Sequence, residues 1–180
     1  MKMKKRNLFF ALLVIGGLST SNAQSYKHSI GLSYGAAKNV NSIMLSHNYF
    51  LNLHDNIETS LLISRNEYRY KDTYIPSSTI SITSGYSKNI LFNKRNSFRI
   101  NGAAGLLIGY ESLNKNQDLN GSELLNDSNP VFGGYLGIDI DYALNDKFSL
   151  FTKANQYYHI NSDLGNSTSF IGGGLRFYIN

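Results

Sequence analysis

The sequence predicts an all-β fold: an eight-stranded antiparallel up-and-down outer-membrane β-barrel that follows a cleaved signal peptide. Three observations point there. Residues 98–113 alternate strictly, with Phe98, Ile100, Gly102, Ala104, Leu106, Ile108 and Tyr110 forming one apolar set that has an aromatic at each end. The other set, Arg99, Asn101, Ala103, Gly105, Leu107, Gly109 and Glu111, mixes charge, amide and glycine. A period of two marks a strand with two unlike faces, and an apolar face girdled by aromatics and long enough to cross a bilayer fits a membrane barrel. Second, 13 Tyr, 10 Phe and 16 Gly beside only two Pro favour strands joined by turns over helices. Third, the chain opens on an export leader.

In that leader, Lys2, Lys4, Lys5 and Arg6 precede the apolar run from Leu8 to Leu18, and Ser21-Asn22-Ala23 puts small residues at the two positions a signal peptidase reads. The run has 11 residues, against the ~20 that a helix across hydrocarbon needs, so residues 1–23 are expected to be cleaved. Residues 24–180 then form one barrel domain. Cysteine is absent, which excludes a lipoprotein anchor, a disulfide and a thiolate metal site. The leader also carries the basic excess. Without it 13 of the 17 Lys and Arg remain against 12 Asp and Glu, a net charge of +1, so no direct nucleic-acid binding is expected despite the many tyrosines.

The first strand is expected from His28 to Ala36, with Ile30, Leu32 and Tyr34 on one face, before a turn at Lys38-Asn39-Val40-Asn41. The second, Ser42 to Leu51, alternates Ile43, Leu45 and Tyr49 and ends at a tight connection from Asn52 to Asn56. The third, Ile57 to Tyr68, sets Ile57, Leu61 and Ile63 against Glu58, Ser60 and Ser64. A polar, aromatic loop from Arg69 to Ser77 follows, where Pro76, unable to donate to a ladder, marks the end of pairing. The fourth, Ser78 to Phe92, alternates Ile80, Ile82 and Tyr86 with Ser81, Thr83 and Gly85, and a charged turn from Asn93 to Asn96 leads into the strand at 98–113.

Beyond it, Asn114 to Asn129 has no sustained period and reads as the longest loop. The sixth strand, Val131 to Tyr142, sets Leu136, Ile138, Ile140 and Tyr142 against Tyr135, Gly137, Asp139 and Asp141, and Leu144 to Lys147 is a tight turn. Phe148 to Tyr158 is the seventh strand, His159 to Thr168 a loop, and Ser169 to Ile179 the last strand, with Ile171, Gly173, Leu175, Phe177 and Ile179 on one face. Connections after the second, fourth and sixth strands are tight, and those after the third, fifth and seventh are longer. Small outer-membrane barrels of the OmpA and OmpX type show this asymmetry, with the tight turns periplasmic.

A soluble lipocalin-like barrel or a β-sandwich uses the same alternation with the apolar set turned inward, and periodicity does not separate the cases. Export without cysteine, apolar alternation through whole strands and the ending Gly174-Leu175-Arg176-Phe177-Tyr178-Ile179 favour the membrane barrel. That ending resembles the C-terminal signal by which outer-membrane barrels are recognised, with Asn180 in place of a terminal aromatic.

With the apolar faces in lipid, Glu58, Glu111, Asp139 and Asp141 point into the lumen together with Arg99, Lys153 and Arg176. Eight strands enclose only enough space for side chains, so these charges are expected to form a packed, salt-bridged interior rather than a channel. A partner-facing loop is expected at Tyr68, Arg69, Tyr70, Lys71 and Tyr74, whose amphipathic aromatics and cations also suit an interfacial belt. His159, Ser162 and Asp163 are the sharpest catalytic candidates, but adjacency in a loop does not supply the convergence of nucleophile, base and acid, and an ordinary polar loop is expected. His28, His47 and His54 lie far apart without ligand spacing, so no metal site is expected. Gly172-Gly173-Gly174 lies inside a strand, where it relieves crowding or allows bending. No cofactor and no small-molecule substrate are expected.

Six segments carry a family resemblance: Tyr70 to Pro76, Ser84-Gly85-Tyr86, Gly109 to Asn114, Leu124 to Asp127, Val131 to Gly134 and Gly172 to Ile179. In that order and spacing, over about two thirds of the chain, the sequence resembles the conjugative-transposon TraO family of Bacteroidetes. The resemblance implies an outer-membrane component of a conjugal DNA-transfer apparatus, in contact with lipid and with other transfer proteins, and it implies no catalytic residue. Two features depart from the family pattern. Gln24-Ser25-Tyr26-Lys27 runs into the first strand without a basic, proline-containing segment, and Tyr157-Tyr158 stands where a Trp-Gly pair is expected.

Overall fold

The computed structural model describes residues 26–37, 40–70, 73–93, 97–113, 128–162 and 166–180, with side chains at 37, 66–70, 73–76, 113 and 128 excepted. The signal-peptide expectation and the longest-loop expectation at 114–127 therefore lie outside the described residues, as do most of the turns expected near Lys38 and Lys94. The chain forms eight strands: β1 (His28–Ala37), β2 (Val40–Phe50), β3 (Asp55–Tyr70), β4 (Thr73–Phe92), β5 (Phe98–Leu113), β6 (Ser128–Ala143), β7 (Phe148–His159) and β8 (Ser167–Ile179). Each pairs antiparallel with its neighbours in sequence, and β1 closes on β8 with His28 opposite Ile179 and Leu32 opposite Leu175.

The alternation decides which way the strands face. Ile30, Leu32, Tyr34, Ile43, Leu45, Ile80, Ile82, Leu106, Ile108, Leu136 and Ile138 are all exposed, Leu106 at 74% and Leu136 at 68%. Ser29, Ser33, Ser46, Ser60, Ser81 and Thr83 on the alternate positions are buried. A wall that is apolar outside and polar inside is the outer-membrane arrangement; a soluble barrel is the reverse. A closed ladder also leaves no lateral edge unpaired, as hydrocarbon requires.

Two tight turns share one device. Asn52 Oδ1 accepts from the backbone N–H groups of His54 at 2.7 Å and Asp55 at 2.8 Å, and Asn145 Oδ1 accepts from those of Lys147 and Phe148, each at 2.9 Å. An Asn side chain that mimics a backbone acceptor stabilises a turn where the chain must reverse sharply. This turn end of the barrel holds both described termini.

The opposite end differs from the expectation. In the loop expected from Arg69 to Ser77 the described residues, 69–70 and 73–77, are instead paired strand, with Glu67 opposite Pro76 and Tyr70 opposite Thr73. Among the described residues, pairing with β2 ends at Asn66 and pairing with β5 begins at Ser77, so residues 67–70 and 73–76 form a two-stranded ribbon beyond that wall. Four further residue pairs carry it roughly 13 Å outward. Pro76 is tolerated because, among the described residues, β4 has no neighbour on its other side there, so its missing N–H removes no described ladder bond. The remaining strands also run one to three residues past several expected ends, since pairing extends until the partner stops.

Inside, the lumen is layered. Met44, Leu62, Leu107, Val131, Tyr135, Tyr157 and Phe170 pack into one apolar cluster. Phe170 fits only because Gly35 and Gly172 lie against its ring: a Cβ at either position would collide with it. The crowding expected around Gly172 to Gly174 is found at two of the three: Gly172 lies against the Phe170 ring and the Tyr34 carbonyl, and Gly174 against the backbone of Leu32 and Ser33, whereas a Cβ at Gly173 would meet only ordinary contacts.

Candidate functional site

Below the apolar layer, toward the turn end, β3, β5, β6, β7 and β8 each direct charged side chains inward. Register alone places two pairs, since Asp139 lies opposite Lys153 and Arg99 opposite Asp141. Glu58 comes from the far wall. Lys153 Nζ donates to Glu58 Oε2 at 2.5 Å and lies 3.7 Å from Asp139 Oδ2. Arg176 Nη2 donates to Asp139 Oδ2 at 2.6 Å, and its Nη1 donates to Asp141. Arg99 Nη2 stands 3.6 Å from Asp141 Oδ1 and donates to the Tyr178 hydroxyl.

Arg176 also lies over the Phe151 ring at 4.6 Å, and Arg99 over the Tyr178 ring at 5.4 Å. Three cations and three carboxylates form one continuous, neutral network. Buried ions persist only when compensated in this way, because each loses several kcal/mol of hydration. Arg99, whose side chain is 20% exposed, is the member nearest solvent.

Of the seven expected lumen charges, six meet. The seventh, Glu111, is buried near the ribbon end, where Ser162 Oγ donates to its Oε2 at 2.8 Å. An inward face is not enough to join the network, because Glu111 sits at the far end of β5 from Arg99. Near it a small cavity of about 30 Å³ lies between Ser42, Ser64, Tyr157, His159, Thr168 and Phe170. That is room for about one water molecule.

His159 Nε2 pairs with Thr168 Oγ1 at 2.9 Å, whereas Ser162 serves Glu111. The expected catalytic candidates are thus drawn to two different partners, and Asp163 lies outside the described residues. Tyr68, Arg69, Tyr70 and Tyr74 occupy the backbone of the projecting ribbon rather than a loop, and Lys71 lies outside the described residues. Among the described residues no group of three or more His, Asp or Glu is placed to hold a metal ion.

Two features escaped the sequence. The apolar cluster is built from residues of the polar-facing sets, and the apolar or aromatic side chains at those positions, such as Met44, Leu62, Leu107, Tyr135 and Phe170, are the signal that could have shown it. His28 and His47, 19 residues apart, are brought together on the outer face of β1 and β2 at the turn end, Nδ1 of one 3.1 Å from Nε2 of the other.

The family model for conjugative transposon protein TraO matches residues 12–179, nearly the whole chain. The chain belongs to the TraO family. No curated protein matches it. Among solved structures, this TraO member is similar to the N-terminal β-barrel domain of Pseudomonas aeruginosa OprF, at 14% identity over 87% of this chain and 100% of that one, TM-score 0.54. It is also similar to the Yersinia pestis outer membrane protein Ail in a phospholipid bilayer nanodisc, at 14% identity over 86% and 100%, TM-score 0.54. Neisserial surface protein A matches at 17% identity over 84% and 94%, TM-score 0.53. At such identities the likeness concerns the fold, and it places the TraO chain among eight-stranded outer-membrane barrels.

Proposed function

We propose that the protein is a structural, non-enzymatic component of a conjugal DNA-transfer apparatus, seated in the outer membrane after removal of residues 1–23. The observation that carries the reading is the TraO match over residues 12–179, set on a barrel whose outer face is apolar. The barrel itself is not the conduit. Six lumen charges neutralise one another, and an apolar layer centred on Leu107, Tyr157 and Phe170 lies between them and the ribbon end. Ser162 and His159 are engaged with Glu111 and Thr168. The role that remains is to hold and present surfaces: turns and termini toward the periplasm, the ribbon at 67–76 toward the outside. Its partners are outer-membrane lipid and other transfer proteins.

The test is deletion of the gene from its mobile element, with complementation in trans. A loss of transfer frequency that the intact gene restores supports the reading, and unchanged transfer overturns it. Sequencing the N-terminus of the membrane-bound form checks for Gln24. A second reading, a stand-alone surface barrel for adhesion or envelope integrity, is favoured by the ribbon, whose described pairs extend past the wall. It predicts unchanged transfer with reduced attachment or increased detergent sensitivity in the same deletion.

A further inference from the structure

His28 stands at the start of β1 and His47 near the end of β2, both on the outer face, where the register sets Ile30 opposite His47 and His28 opposite Tyr49. The rings stack with centroids 5.3 Å apart and planes 22° from parallel. Tyr49 flanks His28 at 5.2 Å. Among the described residues neither imidazole meets a carboxylate or a lumen charge; their polar partner there is each other, through His28 Nδ1 and His47 Nε2 at 3.1 Å.

That separation has a second meaning. Two imidazole nitrogens each about 2.05 Å from one ion and 3.1 Å apart subtend about 100° at it, within the range that tetrahedral and tetragonal sites use. We propose that His28 and His47 form a two-imidazole chelate for a borderline transition cation, Zn²⁺ or Cu²⁺, with water completing the coordination. In the free pair one ring donates an N–H to the other. On chelation that ring moves its proton to its outer nitrogen, so two neutral ligands face the metal and no net proton is released. Acidification opposes the site, because an imidazolium has no lone pair to give.

The position gives the ion a structural consequence. β1 is the strand that closes the barrel on β8, and a metal between His28 and His47 ties its first residue to β2 at the end where the seam begins. A ligand bound only by the folded barrel stabilises it by mass action. The same residues lie at the level expected for the headgroups, where water and hydrated ions have access.

The experiment is Cu²⁺ titration of the folded full-length mature protein in phosphate-free detergent, followed by electron paramagnetic resonance. One equivalent of Cu²⁺ is expected to show coupling to two nitrogens. His28→Gln and His47→Gln are each expected to weaken binding roughly tenfold or more and to leave one coupled nitrogen. His54→Gln, on the neighbouring turn, is expected to change nothing. Both substituted positions lie on the surface, and heat-modifiable gel mobility verifies that the variants fold. Absence of a saturable site overturns the proposal, as does binding that keeps its affinity and its two-nitrogen coupling in either His28→Gln or His47→Gln, which would place the ion on other donors such as the terminal amine.

Discussion

Lys153 and Glu58, 95 residues apart, meet across the lumen at 2.5 Å, tying β7 to the opposite wall at β3. Neighbouring strands are already held by backbone ladders, but this pair spans the interior and also sets Lys153 beside Asp139. Removing one partner strands the other. Lys153→Met is expected to destabilise the barrel by about 3–5 kcal/mol, because Glu58 remains buried without its cation. Lys153→Met combined with Glu58→Gln is expected to recover most of that loss. Urea unfolding in detergent micelles, followed by tryptophan-free near-ultraviolet signals and gel mobility, measures both. Equal stability of single and double variants would show that the pair is not coupled.

The closed lumen makes a second prediction. Reconstituted in a planar bilayer, the purified protein is expected to give no steady ohmic conductance, because the apolar cluster around Leu107, Tyr157 and Phe170 leaves no water column past the ionic layer. A stable open state at low voltage would refute the plugged interior.

The outward face predicts a depth dependence. Leu106, 74% exposed at the middle of β5, belongs in hydrocarbon, and Leu106→Arg is expected to cost about 2–4 kcal/mol in lipid vesicles. Phe98→Arg, at the turn end of the same strand and face, is expected to cost about 0–1 kcal/mol. Equilibrium folding into vesicles compares them. Equal penalties would mean that β5 does not cross a bilayer in this register.

How much of this was legible in the sequence follows from what a period of two can and cannot carry. It sorted Leu106 from Leu107, but not lipid from core. Leu107 belongs to the inward set by position and to the apolar layer by chemistry, and only packing against Tyr157 and Phe170 gives it that role. The inward charges could be named because burial on one face follows from alternation. Their pairing could not, because Lys153 and Glu58 meet through the curvature of the whole barrel, and Glu111 shows that sharing a face says nothing of height. Similarly, His28 and His47 looked isolated at 19 residues apart, since ligand spacing on a hairpin is set by cross-strand register. Pro76 misled for a related reason. Its missing N–H argues against a central strand, yet in the ribbon β4 has a neighbour on one side only among the described residues.

That ribbon supplies the last prediction. Among the described residues, 67–70 and 73–76 pair only with one another, while the strands below them have neighbours on both sides. Replacing residues 67–76 by a two-residue Asn-Gly turn that joins Asn66 to Ser77 is therefore expected to leave barrel folding intact, with heat-modifiable mobility unchanged and stability within about 1 kcal/mol, since no described wall pairing is lost and a two-stranded ribbon alone is marginal in water. The same variant separates architecture from function. If the ribbon is where a partner docks, transfer frequency falls although the barrel is folded and present at normal abundance. If transfer is retained, docking belongs to another surface, and the exposed turn at 51–54 on the opposite end is the next to exchange.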